Sequence, residues 1–155
     1  MVRVLAVGGG KARQARGKGA DAFGAFAGIQ GVVASGVRFG GTDWDYANAI
    51  TVDSANTVYV TGAYYSTSLQ FGTTTALANA GGVAHEDAFV AALASGNTWS
   101  WSARIGGGGA FDETGNGVAV GTSNGLYVVG RLADTTTSFG SVSLAPNGAN
   151  LNTPY

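Results

Sequence analysis

Asp43, Trp44 and Asp45 are consecutive residues whose side chains can bind a ligand. Two carboxylates at alternate positions can share a calcium ion, which requires several hard oxygen ligands. The following residues do not continue the Asp-x-Asp-x-Asp-Gly spacing of a calcium loop. We therefore favour an interpretation in which both carboxylates accept hydrogen bonds from turn amides. Trp44 lies in a loop, where an exposed indole is typical of stacking on a sugar or a partner side chain. We predict these three residues as a ligand-binding site that holds no metal.

His85 is the only histidine of the chain, and it precedes two acids, Glu86 and Asp87. A histidine beside acids can move protons or bind a metal, because its charge changes near neutral pH. A metal site, however, needs more ligands at a defined spacing. No Ser or Cys nucleophile lies in a recognisable motif either. We therefore predict a histidine in a surface loop, with neither a metal nor another cofactor.

The composition is typical of short strands joined by tight turns, with 27 Gly and only 2 Pro in 155 residues. The absence of cysteine excludes disulfides and thiolate chemistry. No apolar run approaches the roughly 20 residues that span a bilayer, so we predict no membrane span. The N-terminal run from Val2 to Val7 is too short for the core of a signal peptide, and we see no export signal.

Positive charge is concentrated near the N-terminus. Five of the eight Lys and Arg residues precede Asp21, and from residue 19 onward three basic residues accompany nine acidic ones. A basic stretch can contact nucleic acid, but this one lacks the interleaved aromatic side chains that stack on bases. We therefore expect a solvated loop at residues 1–18, and we expect no nucleic-acid partner.

The chain repeats itself, first at an offset of 66 residues and then, after two inserted residues, at 68. Repetition on this scale is typical of propellers, solenoids and arrays. The matched segments are Asp21–Phe23 with Asp87–Phe89, Arg38–Gly41 with Arg104–Gly107, Asn48–Val52 with Asn116–Val120, Val58–Gly62 with Leu126–Gly130, and Phe71–Gly72 with Phe139–Gly140.

Turn residues divide each repeat into four strand-like segments, and no segment has a helical period. The predicted strands are 49–52, 58–62, 88–93, 99–105, 117–120 and 126–130. The residues predicted to be mainly core are Ile50, Val52, Val58, Val60, Phe89, Val90 and Leu93. Trp99 and Trp101 are two residues apart, so we expect both on one face of a strand. This order predicts the four-stranded antiparallel blades of a β-propeller, and a β-solenoid is the main alternative.

The segment from Gly40 to Gly62 reads Gly-Gly-x-x-x-Asp-Tyr-Ala-x-Ala-Ile-x-Val-Asp-Ser-x-x-x-Val-Tyr-Val-Thr-Gly. It resembles the repeat of a bacterial extracellular β-propeller family of secreted and surface proteins. The segment from Gly81 to Leu93 is similar to the continuation of that repeat. The resemblance covers about residues 19 to 155 and implies a propeller fold and a location outside the cell or on its surface. The stretch from Lys11 to Lys18 has no counterpart in the pattern.

The phase of the repeat predicts an open assembly. The expected parts are a basic, Gly-rich N-terminal segment (1–18), a half blade with the third and fourth strands (19–41), a complete blade (42–107), and a half blade with the first and second strands and a link (108–155). Thr153–Tyr155 falls where a third strand would begin. About two blade-equivalents cannot close a propeller of four to eight blades, and each half blade leaves an unpaired strand edge. Either the chain is a fragment of a longer protein, or copies complete each other's blades.

Three functions fit such an assembly. We predict a non-catalytic extracellular or cell-surface module for binding or adhesion, with a glycan or a surface protein as partner. The first alternative is a structural protein that self-associates through its half-blade edges into a ring or filament. The second is a glycan-active propeller enzyme, which needs two converging carboxyl groups. The acids that could supply such a pair are Asp43, Asp45, Asp112 and Glu113. Because a fold does not establish an activity, we predict a protein that is not an enzyme.

Overall fold

Thirteen β-strands and one short 3₁₀ turn make up the described part of the chain. The computed structural model describes residues 4–6, 22–27, 33–82, 84–133 and 136–144. The strands are β1 (Val4–Ala6), β2 (Ala22–Ala27), β3 (Val33–Phe39), β4 (Asp45–Val52), β5 (Val58–Tyr64), β6 (Ser68–Leu69), β7 (Leu77–Ala78), β8 (Asp87–Leu93), β9 (Trp99–Gly106), β10 (Thr114–Val120), β11 (Leu126–Arg131), β12 (Thr137–Phe139) and β13 (Val142–Leu144). The 3₁₀ turn spans Thr122–Asn124. The all-β prediction is confirmed, and among the described residues no helix is long and apolar enough to cross a membrane.

The largest sheet has six strands in the order β13-β12-β9-β8-β5-β4. Its strands β4, β5, β8 and β9 form an antiparallel meander, which we call the central sheet. The six predicted strands lie within β4, β5, β8, β9, β10 and β11. Every strand pair in the described ranges is antiparallel, which excludes a parallel β-helix there. Within these ranges the sheets do not close on themselves.

The turn between β4 and β5 shows how local sequence specifies a hairpin. The Asp53 carboxylate accepts hydrogen bonds from the amides of Ala55 and Thr57, at 2.9 and 2.8 Å. Asn56 has a φ of 64°, in the left-handed region that asparagine tolerates better than most residues. The side chain of Asp53 thus replaces backbone partners where the chain reverses, as the polar turn cluster predicts.

One face of the central sheet, which we call the packed face, forms the main core with β3 and the link between β5 and β8. The ring of Phe89 packs against those of Phe39 and Phe71, with centroid distances of 5.2 Å to each, and Phe39 and Phe71 stack on each other at 4.6 Å. Trp99 contacts the same two rings at 5.7 and 4.9 Å. The rings meet mostly edge-on or tilted, the arrangements that aromatic quadrupoles favour. This aromatic cluster joins β3 to the central sheet.

Most of the residues predicted to be core are buried. The buried ones are Val58, Val60, Phe89, Val90 and Leu93. Ile50 is partly buried and packs against the same core. Val52 is exposed, so its prediction as a core residue is wrong. It is the last residue of β4, at the edge of the sheet and beside an exposed turn, where alternation no longer implies burial.

Trp99 and Trp101 face opposite sides of the central sheet, so the prediction of a shared face is wrong. Trp101 pairs with Ala92, whereas Trp99 pairs with the next residue, Leu93, so β9 contains one extra residue at Ser100. Such a β-bulge interrupts the alternation of side chains along a strand. Trp99 is therefore buried on the packed face, and Trp101 is exposed on the other face.

A short strand, β1, lies in the segment that we expected to lie outside the repeats. β1 pairs with β2 in the register Val4↔Ala27, Leu5↔Phe26 and Ala6↔Ala25. The residues of β8 that lie 66 positions after these β2 residues pair with β5 in the same order, as Val58↔Leu93, Tyr59↔Ala92 and Val60↔Ala91. β1 therefore takes the position beside β2 that β5 takes beside β8. The stretch from Lys11 to Lys18 lies outside the described residues.

The other face of the central sheet, which we call the second face, packs against the antiparallel pair β10–β11. Ala88, Val90 and Ile105 of the central sheet contact Leu126 and Val128 of β11. Strand β4 of the central sheet and strand β10 of this pair each contain a register shift, at 47–49 in β4 and at 115–117 in β10. The side-chain amide of Asn48, within the register shift of β4, donates to the backbone carbonyl of Gly115 at 3.0 Å.

One backbone contact recurs between neighbouring layers, by which we mean β2–β3, the central sheet and β10–β11. The segment after β5 reaches back to the end of β3, where Gly40 and Gln70 form an antiparallel bridge. At the corresponding positions, β12 pairs with the end of β9, with Ser138 opposite Gly106. The layers are thus attached to each other by the same backbone contact, at the offsets of 66 and 68 that the sequence shows.

Candidate functional site at the open edge of β11

The predicted site at Asp43, Trp44 and Asp45 is a hydrogen-bonded turn with an exposed indole. Asp45 is buried, and its carboxylate accepts hydrogen bonds from the Gly41 amide at 2.7 Å and the Ser66 hydroxyl at 2.9 Å. The Asp43 carboxylate accepts a hydrogen bond from the Trp44 amide at 2.8 Å. Both carboxylates therefore accept hydrogen bonds from backbone amides, as the turn interpretation predicts. Trp44 is the member of the three that faces solvent, and ligand binding by it stays a prediction.

His85 is partly exposed and lies beside an acid that sequence analysis did not connect with it. Its Nδ1 is 3.2 Å from Oδ1 of Asp112, and that oxygen also accepts the Glu86 amide at 3.3 Å. The pair joins the loop before β8 to the loop before β10. Because 27 residues separate the two side chains and neither lies in a motif, their meeting has no signal in the sequence.

Glu86 is the centre of a buried polar network between the central sheet and β10. Its carboxylate accepts hydrogen bonds from the hydroxyls of Tyr46 and Thr114, the latter at 2.6 Å. Its backbone carbonyl accepts the Glu113 amide at 2.8 Å. Burial, together with the hydrogen bond and the charge of Glu86, raises the pKa of the Tyr46 phenol far above its ordinary value. The network satisfies the buried carboxylate and holds the layers together, and in the described ranges no three or more His, Cys, Asp or Glu side chains are placed to hold a metal ion.

The raised pKa values of three tyrosines predict a loss of stability at high pH. Burial raises the pKa of Tyr46, Tyr64 and Tyr65 above the ordinary value of 10.0. A phenol whose pKa is higher in the folded state than in the unfolded state stabilises the fold fully below about pH 10. This contribution is lost as pH rises through the folded-state pKa. The Tyr46→Phe variant should therefore lose stability less steeply above pH 10 than the unmodified chain. Urea unfolding between pH 8 and 11 measures the slopes, with the exposed Tyr127→Phe as the control for losing a hydroxyl. Equal slopes for Tyr46→Phe and the unmodified chain would contradict the role given to Tyr46.

A groove of about 850 Å³ lies beside β11. It lies over the second face of the central sheet and is lined mainly by apolar side chains. Those that form its floor and walls include Trp101, Ile105, Leu126, Val128, Phe139 and Val142. At its rim, Tyr127 and Val129 are 65 % and 66 % exposed. Contiguous exposed apolar surface of this kind marks interaction sites in soluble proteins.

The groove runs along a strand that has one neighbour. Within the described ranges, β11 pairs only with β10, whereas β5 lies between β4 and β8. The comparison is direct, because the segment Val58–Gly62 of β5 matches Leu126–Gly130 of β11 at the offset of 68. The second long edge of β11 therefore presents backbone groups where β5 has a paired strand, and an exposed strand edge is a template for another strand.

The link residue of the packed face is covered by a third strand, whereas the matching link residue in the groove is not covered by one among the described residues. On the packed face, the link residue Phe71 is fully buried against Phe89 of the third strand. In the groove, the matching link residue Phe139 is 37 % exposed. Ile105 takes the position that Phe39 has in the aromatic cluster, at the offset of 66. The position of Phe89 itself has no counterpart beside Phe139 among the described residues, so the groove has the shape of a layer without its third strand.

Comparisons with known proteins name no family for this chain. No protein-family model matches it, and neither the curated proteins nor the solved structures contain a match. The resemblance carried by Gly40–Gly62 therefore stays a prediction.

Proposed function

We propose that this chain is a non-catalytic binding module built from β-propeller-type repeats, which binds a partner by accepting its β-strands at the open edge of β11. In this proposal the central sheet is a complete blade. β2–β3 and β10–β11 belong to the blades on either side of it. A location outside the cell or on its surface is part of the proposal and depends on the resemblance of Gly40–Gly62 to repeats of secreted proteins.

Face-to-face packing supports the propeller-type arrangement. β3 packs on the packed face of the central sheet, and β10–β11 packs on the second face. The backbone contacts Gly40–Gln70 and Gly106–Ser138 attach successive layers in the same way. Layers of four antiparallel strands, repeated about an axis, are the architecture of a propeller.

The single observation that carries the proposal is the edge of β11 that has no paired strand within the described residues, together with the apolar groove beside it. Strand addition at a sheet edge supplies backbone hydrogen bonds, and side-chain pockets on alternate positions supply specificity. The groove offers both, because β11 lies along one wall and apolar side chains such as Trp101, Ile105 and Phe139 form the rest. A strand with large apolar side chains on one face is the ligand that fits.

A hairpin with the sequence of residues 86–107 tests the proposal, because β8–β9 is the pair that β5 accepts in the central sheet. A fluorescently labelled hairpin should bind the chain with a saturable rise in anisotropy. The Val129→Lys variant places a charge at the rim of the groove and should weaken binding by about tenfold, a loss of roughly 1.4 kcal/mol. Val129 is exposed, so this substitution should leave the fold intact.

The matched control is Val52→Lys, which introduces the same charge at an exposed strand position outside the groove. It should bind the hairpin as the unmodified chain does. A hairpin that carries Phe89→Asp should not bind, because it lacks the ring that fills this position on the packed face. Saturable binding that Val129→Lys leaves unchanged, or no binding at all, would count against a strand-accepting groove.

A further inference from the structure

The occupant of the groove can be identified from the chain's own repeat. β2 and β3 contain the segments Ala22–Phe23 and Arg38–Phe39, which match Ala88–Phe89 and Arg104–Ile105 of β8 and β9 at the offset of 66. They also pair as β8 and β9 do, since Ala22 lies opposite Phe39 and Ala88 lies opposite Ile105. The position of Phe89, which has no counterpart beside Phe139 among the described residues, is held by Phe23 in this match. The chain therefore carries, in β2–β3, a strand pair of the kind that does not lie beside β11 within the described residues.

We infer that the groove binds the β2–β3 pair of a second copy of this chain, with β2 antiparallel to β11; this inference rests on the proposed strand-accepting function. The register follows from that of β5 on β8, shifted by 68 and 66 residues. The paired positions are Leu126↔Ala27, Tyr127↔Phe26, Val128↔Ala25, Val129↔Gly24, Gly130↔Phe23 and Arg131↔Ala22.

The contact joins the β11 edge of one copy to the β2 edge of the next, and these are different surfaces of the chain. Contact of unlike surfaces in this way is heterologous, so it generates a ring or a filament.

β1 competes for the same edge. It pairs with Ala25, Phe26 and Ala27 of β2, in the register that β11 of a second copy would use. β1 therefore covers three of the six positions of β2 that the contact needs, and it has to leave before β11 can pair along the full strand. Positions 22–24 of β2 have no partner in β1. A second copy can begin pairing there and then displace the shorter strand.

Cysteine cross-linking tests the register, because the chain has no cysteine of its own. A Gly24→Cys copy and a Val129→Cys copy, distinguished by mass, are mixed under mild oxidation. Opposed residues in neighbouring strands bring their Cβ atoms within reach of a disulfide. Within one chain, β2–β3 and β10–β11 belong to layers on opposite faces of the central sheet, about 20 Å apart for two sheet spacings, so a disulfide reports contact between copies. Ala25→Cys with Val128→Cys tests the neighbouring pair, which differs in its hydrogen-bonding type.

The expected result is a mixed disulfide for each matched pair and its loss for the slipped pair, Ala25→Cys with Val129→Cys. A slip of one residue places the two side chains on opposite faces of the sheet. Removing residues 1–7 should increase the cross-linked fraction, and Leu5→Asp should do so in the full-length chain. Equal yields from matched and slipped pairs, or no mixed disulfide, overturn the inference. If the hairpin of residues 86–107 still binds, the groove accepts strands but its occupant is not a second copy; if that binding also fails, the proposed function falls too.

Discussion

Replacing Phe89 with alanine should lower the free energy of unfolding by about 3–5 kcal/mol, the range for deleting a buried phenylalanine ring. Phe89 has no exposed surface and contacts Phe39, Phe71 and Tyr64 on the packed face. Three aromatic neighbours that belong to different elements cannot all move to refill the space. The remaining cavity therefore adds to the lost burial of the ring.

Thermal and urea unfolding measure this effect. For a chain of this size, each kcal/mol corresponds to roughly 2–4 °C, so the melting temperature should fall by roughly 6–20 °C. Phe111→Ala is the matched control, because it removes the same ring from an exposed site and should cost less than about 0.5 kcal/mol. If the Phe89→Ala and Phe111→Ala variants had the same melting temperature, Phe89 would not be the centre of the core.

Gly62→Ala is expected to destabilise the chain by about 1–3 kcal/mol through a backbone clash. A Cβ on Gly62 would lie inside contact distance of the Tyr46 carbonyl and 2.9 Å from the Cα of Ala47. These atoms belong to β4 where its register shifts, and the bulge brings the two strands together at this point. Backbone atoms within a paired strand cannot turn aside as the end of a flexible side chain can. The cost is therefore strain, not lost burial.

The control for this prediction is Gly96→Ala, where a Cβ meets nothing within 4 Å. It should change the free energy of unfolding by less than about 0.5 kcal/mol. Chemical denaturation of the two variants separates a local steric effect from the general effect of replacing glycine in a β-rich chain. Equal destabilisation by both substitutions would argue against the close approach of β4 and β5.

Strand positions could be predicted from alternation and turn residues, but two departures depended on tertiary structure. Val52 continues the apolar alternation of β4 beyond the region that neighbouring elements cover. Trp99 and Trp101 are separated onto different faces by one extra residue in β9, and nothing in their spacing shows a bulge. Strand β1 could have been found, since Val4–Gly8 has the pattern of Val58–Gly62. Its short length and the glycines that follow concealed the match.

The candidate site was predictable only in part. The contact of Asp45 with the Gly41 amide follows from local sequence, whereas its contact with the Ser66 hydroxyl depends on the return of the chain after β5. The approach of His85 to Asp112 depends on how two loops meet across a seam. The repeat phase indicated unpaired edges, but the groove depends on the side chains of β9, β11, β12 and β13 together. No local pattern contains that arrangement.

Amide hydrogen exchange along β11, measured by NMR with β5 as the internal reference, tests the central claim most directly. An amide is protected where its strand is paired, and an exposed edge exchanges rapidly. In the dilute chain, the β11 amides that point away from β10 should exchange far faster than those of β5. They should become protected when the hairpin of residues 86–107 is added. Contradiction would come from β11 amides that are as protected as those of β5 in the dilute chain, or that the hairpin leaves unchanged.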